Sequence, residues 1–295
     1  MHKFAGVIRL PFLVLTPVCM SLGVATAYAS GTAVMWGNLL FAFVAGLSAH
    51  ISVNALNEYL DFHSGLDFNT IKTPFSGGSG VLVQYPEYAG TTLKIVIASL
   101  LLTICCGAVL VFRTGPGLLP FGLLGTLIIA TYTRWINRYA LLCLIAPGIA
   151  FGPIMVVGTQ YALTAEFSVT SAWISLVPFF LVSNLLLLNQ FPDAEADRNV
   201  GRRHLPVKVG RRTSSLVFGL FLLLTYVAIL VAVLLKEFPV SALLGMITLP
   251  IALIIYLRVR NRADFVEQLV PVMGMNVLLV LSTPLFLGAG IYLGS

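Results

Sequence analysis

His50, Asn54, Asn57 and Asp61 are separated by four, three and four residues, so on a helix turning about 100° per residue all four fall within about 60° of one another. They form a polar stripe descending one face of an apolar segment. A second stripe steps by four through Asn189, Asp193 and Asp197, and Gln190 joins it three residues before Asp193. Pro192 interrupts the helical hydrogen bonding there, so a kink or a fresh helical turn is expected at the start of that stripe. Of the 11 acidic residues in the chain, six (Glu58, Asp61, Asp67, Asp193, Glu195 and Asp197) lie in these two short stretches.

Carboxylates beside amide oxygens make a hard donor set suited to Mg²⁺, an ion usually held by one or two carboxylates plus substrate phosphates. Two facing acidic walls have room for two ions. A diphosphate bridged by such ions still carries negative charge for Lys or Arg to balance. Lys72, Arg134, Arg138, Arg198 and Arg9 are the available cations. For any one acid, a helix cap or a pair with Arg202 or Arg203 is the plainer role; six acids at two helix ends favour a metal–phosphate site. The stretch from Thr73 to Gly80 is rich in glycine but lacks the G-x-x-x-x-G-K-[ST] pattern of a nucleotide-binding loop. It reads either as a mobile flap with N–H groups for phosphate or as a plain turn.

The frame that carries these stripes is set by composition. Of 295 residues, 58% are hydrophobic and 9% charged, with a mean hydropathy of +0.97. A water-soluble domain is excluded, because there charged residues make up roughly a quarter of the chain. Apolar runs near membrane-spanning length occur at roughly 11–29, 35–57, 91–112, 116–133, 141–163, 169–190, 214–235, 239–257 and 268–292. The expectation is therefore an all-α polytopic membrane protein, a bundle of nine transmembrane helices forming a single domain over residues 1–295. The first run also fits a secretory leader, with Lys3 and Arg9 ahead of it and Ala27-Tyr28-Ala29 at its end, although it is longer than the usual apolar region of about 7–15 residues.

Nine spans place 15 of the 17 Lys and Arg residues on the side of the N-terminus, and only Arg113 and Lys236 on the other. By the positive-inside rule the first side is cytoplasmic. Both acidic stretches fall there. The net charge of +6 then belongs to loops facing anionic lipid, not to a nucleic-acid surface. Cys19, Cys105, Cys106 and Cys143 all lie in apolar runs without C-x-x-C spacing, as packing residues would.

At its two acidic motifs the sequence resembles the UbiA-type intramembrane prenyltransferases, whose usual signatures are NDxxDxxxD after the second helix and DxxxD after the sixth. The first motif here is Asn57-Glu58-Tyr59-Leu60-Asp61-Phe62-His63-Ser64-Gly65-Leu66-Asp67, with Glu58 replacing an Asp and two extra residues before the last acid. The second, Asp193-Ala-Glu-Ala-Asp197, fits without change. Asp61-Phe62-x-Ser64-Gly65-x-Asp67, Phe151-Gly-Pro-Ile-Met-Val-Val-Gly158, Asp197-Arg-Asn-x-Gly-Arg-Arg203 and Val207-Lys-Val-Gly210 look most like the menaquinone branch, the 1,4-dihydroxy-2-naphthoate prenyltransferases.

The resemblance implies a multi-pass protein of the bacterial inner membrane, active at its cytoplasmic face and needing no obligate protein partner. A polyprenyl diphosphate donor would lie with its tail in a central, lipid-facing chamber, and an aromatic acceptor would attack the allylic cation. It implies Mg²⁺, with Asn57, Glu58, Asp61 and Asp67 holding one ion and Asp193 and Asp197 a second. Asp61, Asp67, Asp193 and Asp197 would be the catalytic set, and Lys72, Arg134, Arg198 and Arg9 the diphosphate contacts. Tyr132, Asn54, Asn189 and His50 would face the acceptor or shield the cation. A belt residue at the membrane interface is an equal role for Tyr132, and His63 fits either a tuning role or a satisfied helix end. Other acceptors (hydroxybenzoate, homogentisate, a glycerol ether lipid) stay open. So does a cation or metabolite transporter, for which midplane charges and inverted repeats would be expected, and so does a non-catalytic scaffold.

Overall fold

The computed structural model describes residues 2–70 and 72–295. Among these, nine helical rods coincide with the nine apolar runs: α1 (Leu10–Ala29), α2 (Gly37–His63), α3 (Pro86–Thr114), α4 (Pro116–Thr131), α5 (Ala140–Thr164), α6 (Val169–Asn199), α7 (Leu205–Leu234), α8 (Val240–Arg262) and α9 (Val266–Leu293). The described chain has no β-strand. Eight of the rods are long and apolar enough to cross a membrane. The exception is α4, which at 1.5 Å per residue reaches roughly 24 Å, short of a hydrocarbon core about 30 Å thick. The expected ninth span is thus a shorter apolar helix, ended where the chain turns at Tyr132.

Hydropathy locates the rods but misplaces their polar ends. The apolar run of α2 stops near residue 57, yet the helix continues to His63; that of α6 stops near 190, yet the helix runs unbroken through Pro192 to Asn199. Backbone hydrogen bonding does not need apolar side chains, so both acidic stripes ride on continuations of membrane helices. At the start of α7 the helix bends at Gly210, whose φ of 82° lies in the left-handed region open to glycine.

The outer surface carries exposed leucine, isoleucine and phenylalanine, among them Ile97, Leu101 and Phe112 on α3 and Leu123 and Leu127 on α4. That is the surface of a protein dissolved in lipid. Inside, α1 and α5–α9 share one large apolar core in which Leu22, Leu188, Phe191, Phe218, Ile255 and Leu269 are fully buried. The α5–α6 contact is very close, since a Cβ on Gly148 or Gly152 would strike the Phe179 or Ser175 backbone oxygen. Small residues spaced by four let helix backbones approach in this way. Within α5, residues Ala150–Val157 form a π-helical segment containing Pro153, and such widened turns often mark functional sites.

Outside this core α2 packs along α3, with smaller clusters around Ala42 and Leu110 and around Val7, Ala55 and Val96. Between the two groups of helices lies a cavity of about 280 Å³, walled by α1 to α6 and lined mostly by apolar side chains such as Phe12, Phe121, Phe151 and Leu185.

Candidate active site

The polar ends of α2 and α6 meet. Arg202, in the turn after α6, joins them: its guanidinium pairs with Asp61 on α2 and donates from Nη1 to Asp197 Oδ1 on α6 at 2.9 Å. His204 Nε2 lies 2.7 Å from the other Asp197 oxygen. Four positions back on α2, Asn57 donates to Asp61 Oδ2 at 3.0 Å and to Thr133 at 3.2 Å, and accepts from Arg9 Nη2 at 3.0 Å. Arg9 sits in a left-handed turn (φ 52°) before α1, an uncommon conformation for a side chain this large. Its guanidinium also lies 3.6 Å from Glu58.

The glycine-rich segment covers this mouth. Gly77 N–H donates to Asp193 Oδ2 at 3.3 Å, and Ser79 N–H lies 3.1 Å from both Glu58 oxygens, with the Ser79 hydroxyl donating to Glu58 as well. Gly78 packs on Asp67 so closely that a Cβ there would fall 2.6 Å from its Oδ1. Its φ of 71° also requires glycine. Lys72 folds its Nζ back over Gly80. The segment is a cover bonded to both walls, with its Gly77 and Ser79 N–H groups taken up by carboxylates.

Five carboxyl groups, those of Glu58, Asp61, Asp67, Asp193 and Asp197, are gathered here beside Arg9, Arg202 and His204. At Asp67, burial first, then the Glu58 and Asp61 charges, push the carboxyl up to about 7, against the opposing pull of Arg9 and Arg202. Two buried carboxylate oxygens, Asp67 Oδ2 and Asp193 Oδ1, have no hydrogen-bond partner. Unpaired acceptors in an anion-rich pocket are what a cation would satisfy. Among the described residues no three His, Cys, Asp or Glu side chains already converge on one point. Mg²⁺ does not require that, because it keeps waters and borrows phosphate oxygens. The donor set therefore fits Mg²⁺, with Asn57, Asp61 and Asp67 on one wall and Asp193 and Asp197 on the other.

Below the mouth the cavity begins. Arg9, Asn54, Asn57, Tyr132 and Asn189 line it at the polar end, and His50 lies deeper, bonded to Thr16 and set edge-on to Phe151. Asn54 donates to the Ile8 carbonyl, and Asn189 keeps a buried oxygen unpartnered. Tyr132 points its hydroxyl toward Cys143, 3.9 Å away. His63 is exposed and bonded to the Tyr59 carbonyl, the satisfied helix end.

Of the cations expected from sequence, the structure brings Arg9 onto the acids. Lys72 is on the cover, while Arg134 and Arg198 are exposed and, among the described residues, make no ion pair or side-chain hydrogen bond. Arg202 is the group that sequence reasoning underrated. It was legible only as a plain partner for neighbouring acids, and it also reaches Asp61, 141 positions away.

The site is thus a helical bundle with a mostly apolar chamber beneath an acidic mouth that carries two unpartnered carboxylate oxygens. The chain matches the UbiA prenyltransferase family over residues 15–278 and belongs to it. It is similar to the 1,4-dihydroxy-2-naphthoate octaprenyltransferases of Bacillus subtilis (27% identity, 66% of this chain, 61% of the relative) and of Mycobacterium tuberculosis (26%, 75% and 74%). It is also similar to the UbiA prenyltransferase domain-containing protein 1 of Xenopus tropicalis (26%, 79% and 66%). The match thus spans somewhat under two thirds of the length of the Bacillus and Xenopus relatives. In fold it resembles a UbiA homolog from Aeropyrum pernix (TM-score 0.69, 15% identity, 96% of this chain and 98% of the other). A UbiA homolog from Archaeoglobus fulgidus, bound to DMAPP and Mg²⁺, is also similar (TM-score 0.64, 13%, 98% and 99%).

Proposed function

We propose that this protein transfers a polyprenyl group from an allylic diphosphate to an aromatic acceptor, 1,4-dihydroxy-2-naphthoate, at the cytoplasmic face of a bacterial inner membrane. The observation that carries the reading is the pair of unpartnered carboxylate oxygens, one from each motif, above an apolar chamber. The likeness to naphthoate octaprenyltransferases supports the choice of acceptor, and the 15-to-2 division of basic residues supports the orientation.

Asn57, Asp61 and Asp67 would hold one Mg²⁺ and Asp193 and Asp197 a second, and when bound the ions supply Lewis-acid neutralisation of the diphosphate. Arg9 and Arg202, already beside the acids, turn to the diphosphate oxygens and stabilise charge as the allylic C–O bond breaks. The exposed Lys72, Arg134 and Arg198 would attract the anionic headgroup before it docks. The chamber holds the isoprenoid away from water, which would otherwise capture the cation. Tyr132 and His50 line its wall, and Asn54 and Asn189 offer amides to orient an acceptor hydroxyl or carboxylate. The attacked ring carbon bonds to C1 of the prenyl group, and aromaticity returns when that carbon sheds its proton or carboxylate. No covalent bond to the protein is needed. The chain acts as a single domain and without a protein partner.

The test is to incubate purified protein in lipid nanodiscs with Mg²⁺, prenyl diphosphates of several lengths and a panel of aromatic and glycerol ether acceptors, identifying products by mass. Prenylated naphthoate product that disappears in excess chelator is expected. Preference for another acceptor would move the protein to a different branch. Metal-dependent flux without diphosphate release would favour a transporter.

A further inference from the structure

Glu58 differs from the other acids at the mouth. It is fully buried, and both of its oxygens are engaged: each lies 3.1 Å from the Ser79 N–H, the Ser79 hydroxyl binds one, and Arg9 approaches the other at 3.6 Å. Asp67 and Asp193 instead each hold a buried oxygen free of any partner. A carboxylate already bonded by a backbone N–H, a hydroxyl and a guanidinium must give up charge-assisted hydrogen bonds before it can ligate a metal; its neighbours give up less.

The cover it binds is tied elsewhere to the site. Gly77 reaches Asp193, Phe75 lines the chamber and abuts Gly274 of α9, and Gly6, in a six-residue helix (His2–Val7) that precedes α1, packs on Ser79 and Val81. One buried side chain therefore joins α2, the segment before α1 and the cover.

We propose that Glu58 is a positioning residue, the latch that fastens the 73–80 cover over the mouth and aligns Arg9, and not a direct metal ligand. The extra methylene relative to Asp is what lets its oxygens reach Ser79. The latch stands on contacts present without metal or donor; its role in turnover rests on the prenyl-transfer reading above.

Lys72 is exposed at the edge of the cover, so trypsin cleavage after it reports how firmly the cover is held. The experiment uses the full-length protein in nanodiscs, free of metal and donor, comparing wild type with Glu58→Asp, Glu58→Gln, Ser79→Ala and the double variant Glu58→Asp/Ser79→Ala. Glu58→Asp keeps the charge and restores the residue usual for a ligand, yet it shortens the reach. A latch predicts cleavage about tenfold faster or more in Glu58→Asp and Ser79→Ala, the scale of losing one charge-assisted hydrogen bond. It also predicts a double variant no faster than the faster single one, because both break the same contact. In Glu58→Gln the Mg²⁺ midpoint for turnover should stay within about threefold of wild type while KM for the donor rises more than kcat falls. The latch is overturned if cleavage rates in Glu58→Asp and Ser79→Ala match wild type, or if Glu58→Gln shifts the Mg²⁺ midpoint more than about tenfold. Because cleavage is read without substrate, an inactive protein with an intact latch would count against the reaction and not against Glu58's role.

Discussion

Changing Asp193 or Asp61 to Asn is expected to lower turnover at least about a thousandfold, roughly 4 kcal/mol of lost transition-state stabilisation, while the protein still inserts and folds. Each change is isosteric and removes one negative charge from the mouth proposed to hold cations against a diphosphate. Asp193 contributes a buried oxygen that nothing in the protein satisfies, so its neutralisation takes away binding that only a ligand uses. Asp61 is paired with Arg202 and Asn57, and as Asn it keeps a hydrogen-bonding oxygen for Arg202. Turnover at saturating Mg²⁺ and donor, with chromatographic homogeneity as the folding control, is the check. Activity within tenfold of wild type in either variant would remove that acid from the site.

The second large effect concerns Arg202, whose side chain is largely buried between Asp61 and Asp197. Removing one member of a buried ion pair leaves uncompensated charge, at a cost of about 3–5 kcal/mol. Arg202→Ala is therefore expected to unfold at clearly lower temperature than wild type in the absence of metal. A divalent cation replaces the missing positive charge, so Mg²⁺ should raise the variant's unfolding temperature more than it raises that of wild type. Turnover should still fall about a hundredfold, because the guanidinium proposed to contact the diphosphate is also lost. Arg202→Lys should not restore activity fully, since an ammonium cannot span two carboxylates as the planar fork does. Equal Mg²⁺ responses in wild type and Arg202→Ala would show that metal and arginine do not share these acids.

The architecture is largely legible in the sequence, because a lipid environment forces backbone polar groups into helices and hydropathy marks where they lie. The limits were local. The runs at 35–57 and 169–190 end where the acidic stripes begin, and both helices continue past them, since hydropathy measures solvent preference and not hydrogen bonding. The run at 116–133 looked like a ninth span of ordinary length, but α4 closes at Thr131 and is short. The meeting of the α2 and α6 stripes was readable from matched spacing on helices whose acidic ends fall on one side. The bridge between them was not, because Arg202 reaches an acid 141 positions away and nothing in local spacing encodes such a contact. Glu58 looked like a conservative ligand substitution. Its engagement by Ser79 depends on how the glycine-rich segment folds back, with Gly77, Gly78 and Gly80 all in the left-handed region, and glycine content alone does not specify that path.

The central claim is that magnesium-bound diphosphate sits between the ends of α2 and α6. Its most direct test is an experimental structure of the protein with Mg²⁺ and an unreactive thiolodiphosphate analogue of the donor. The account predicts metal density about 2.1 Å from oxygens of Asp61 or Asp67 on one wall and of Asp193 or Asp197 on the other, with the diphosphate between them and the tail in the chamber. Diphosphate bound elsewhere in the bundle, or metal held away from both motifs, would contradict it.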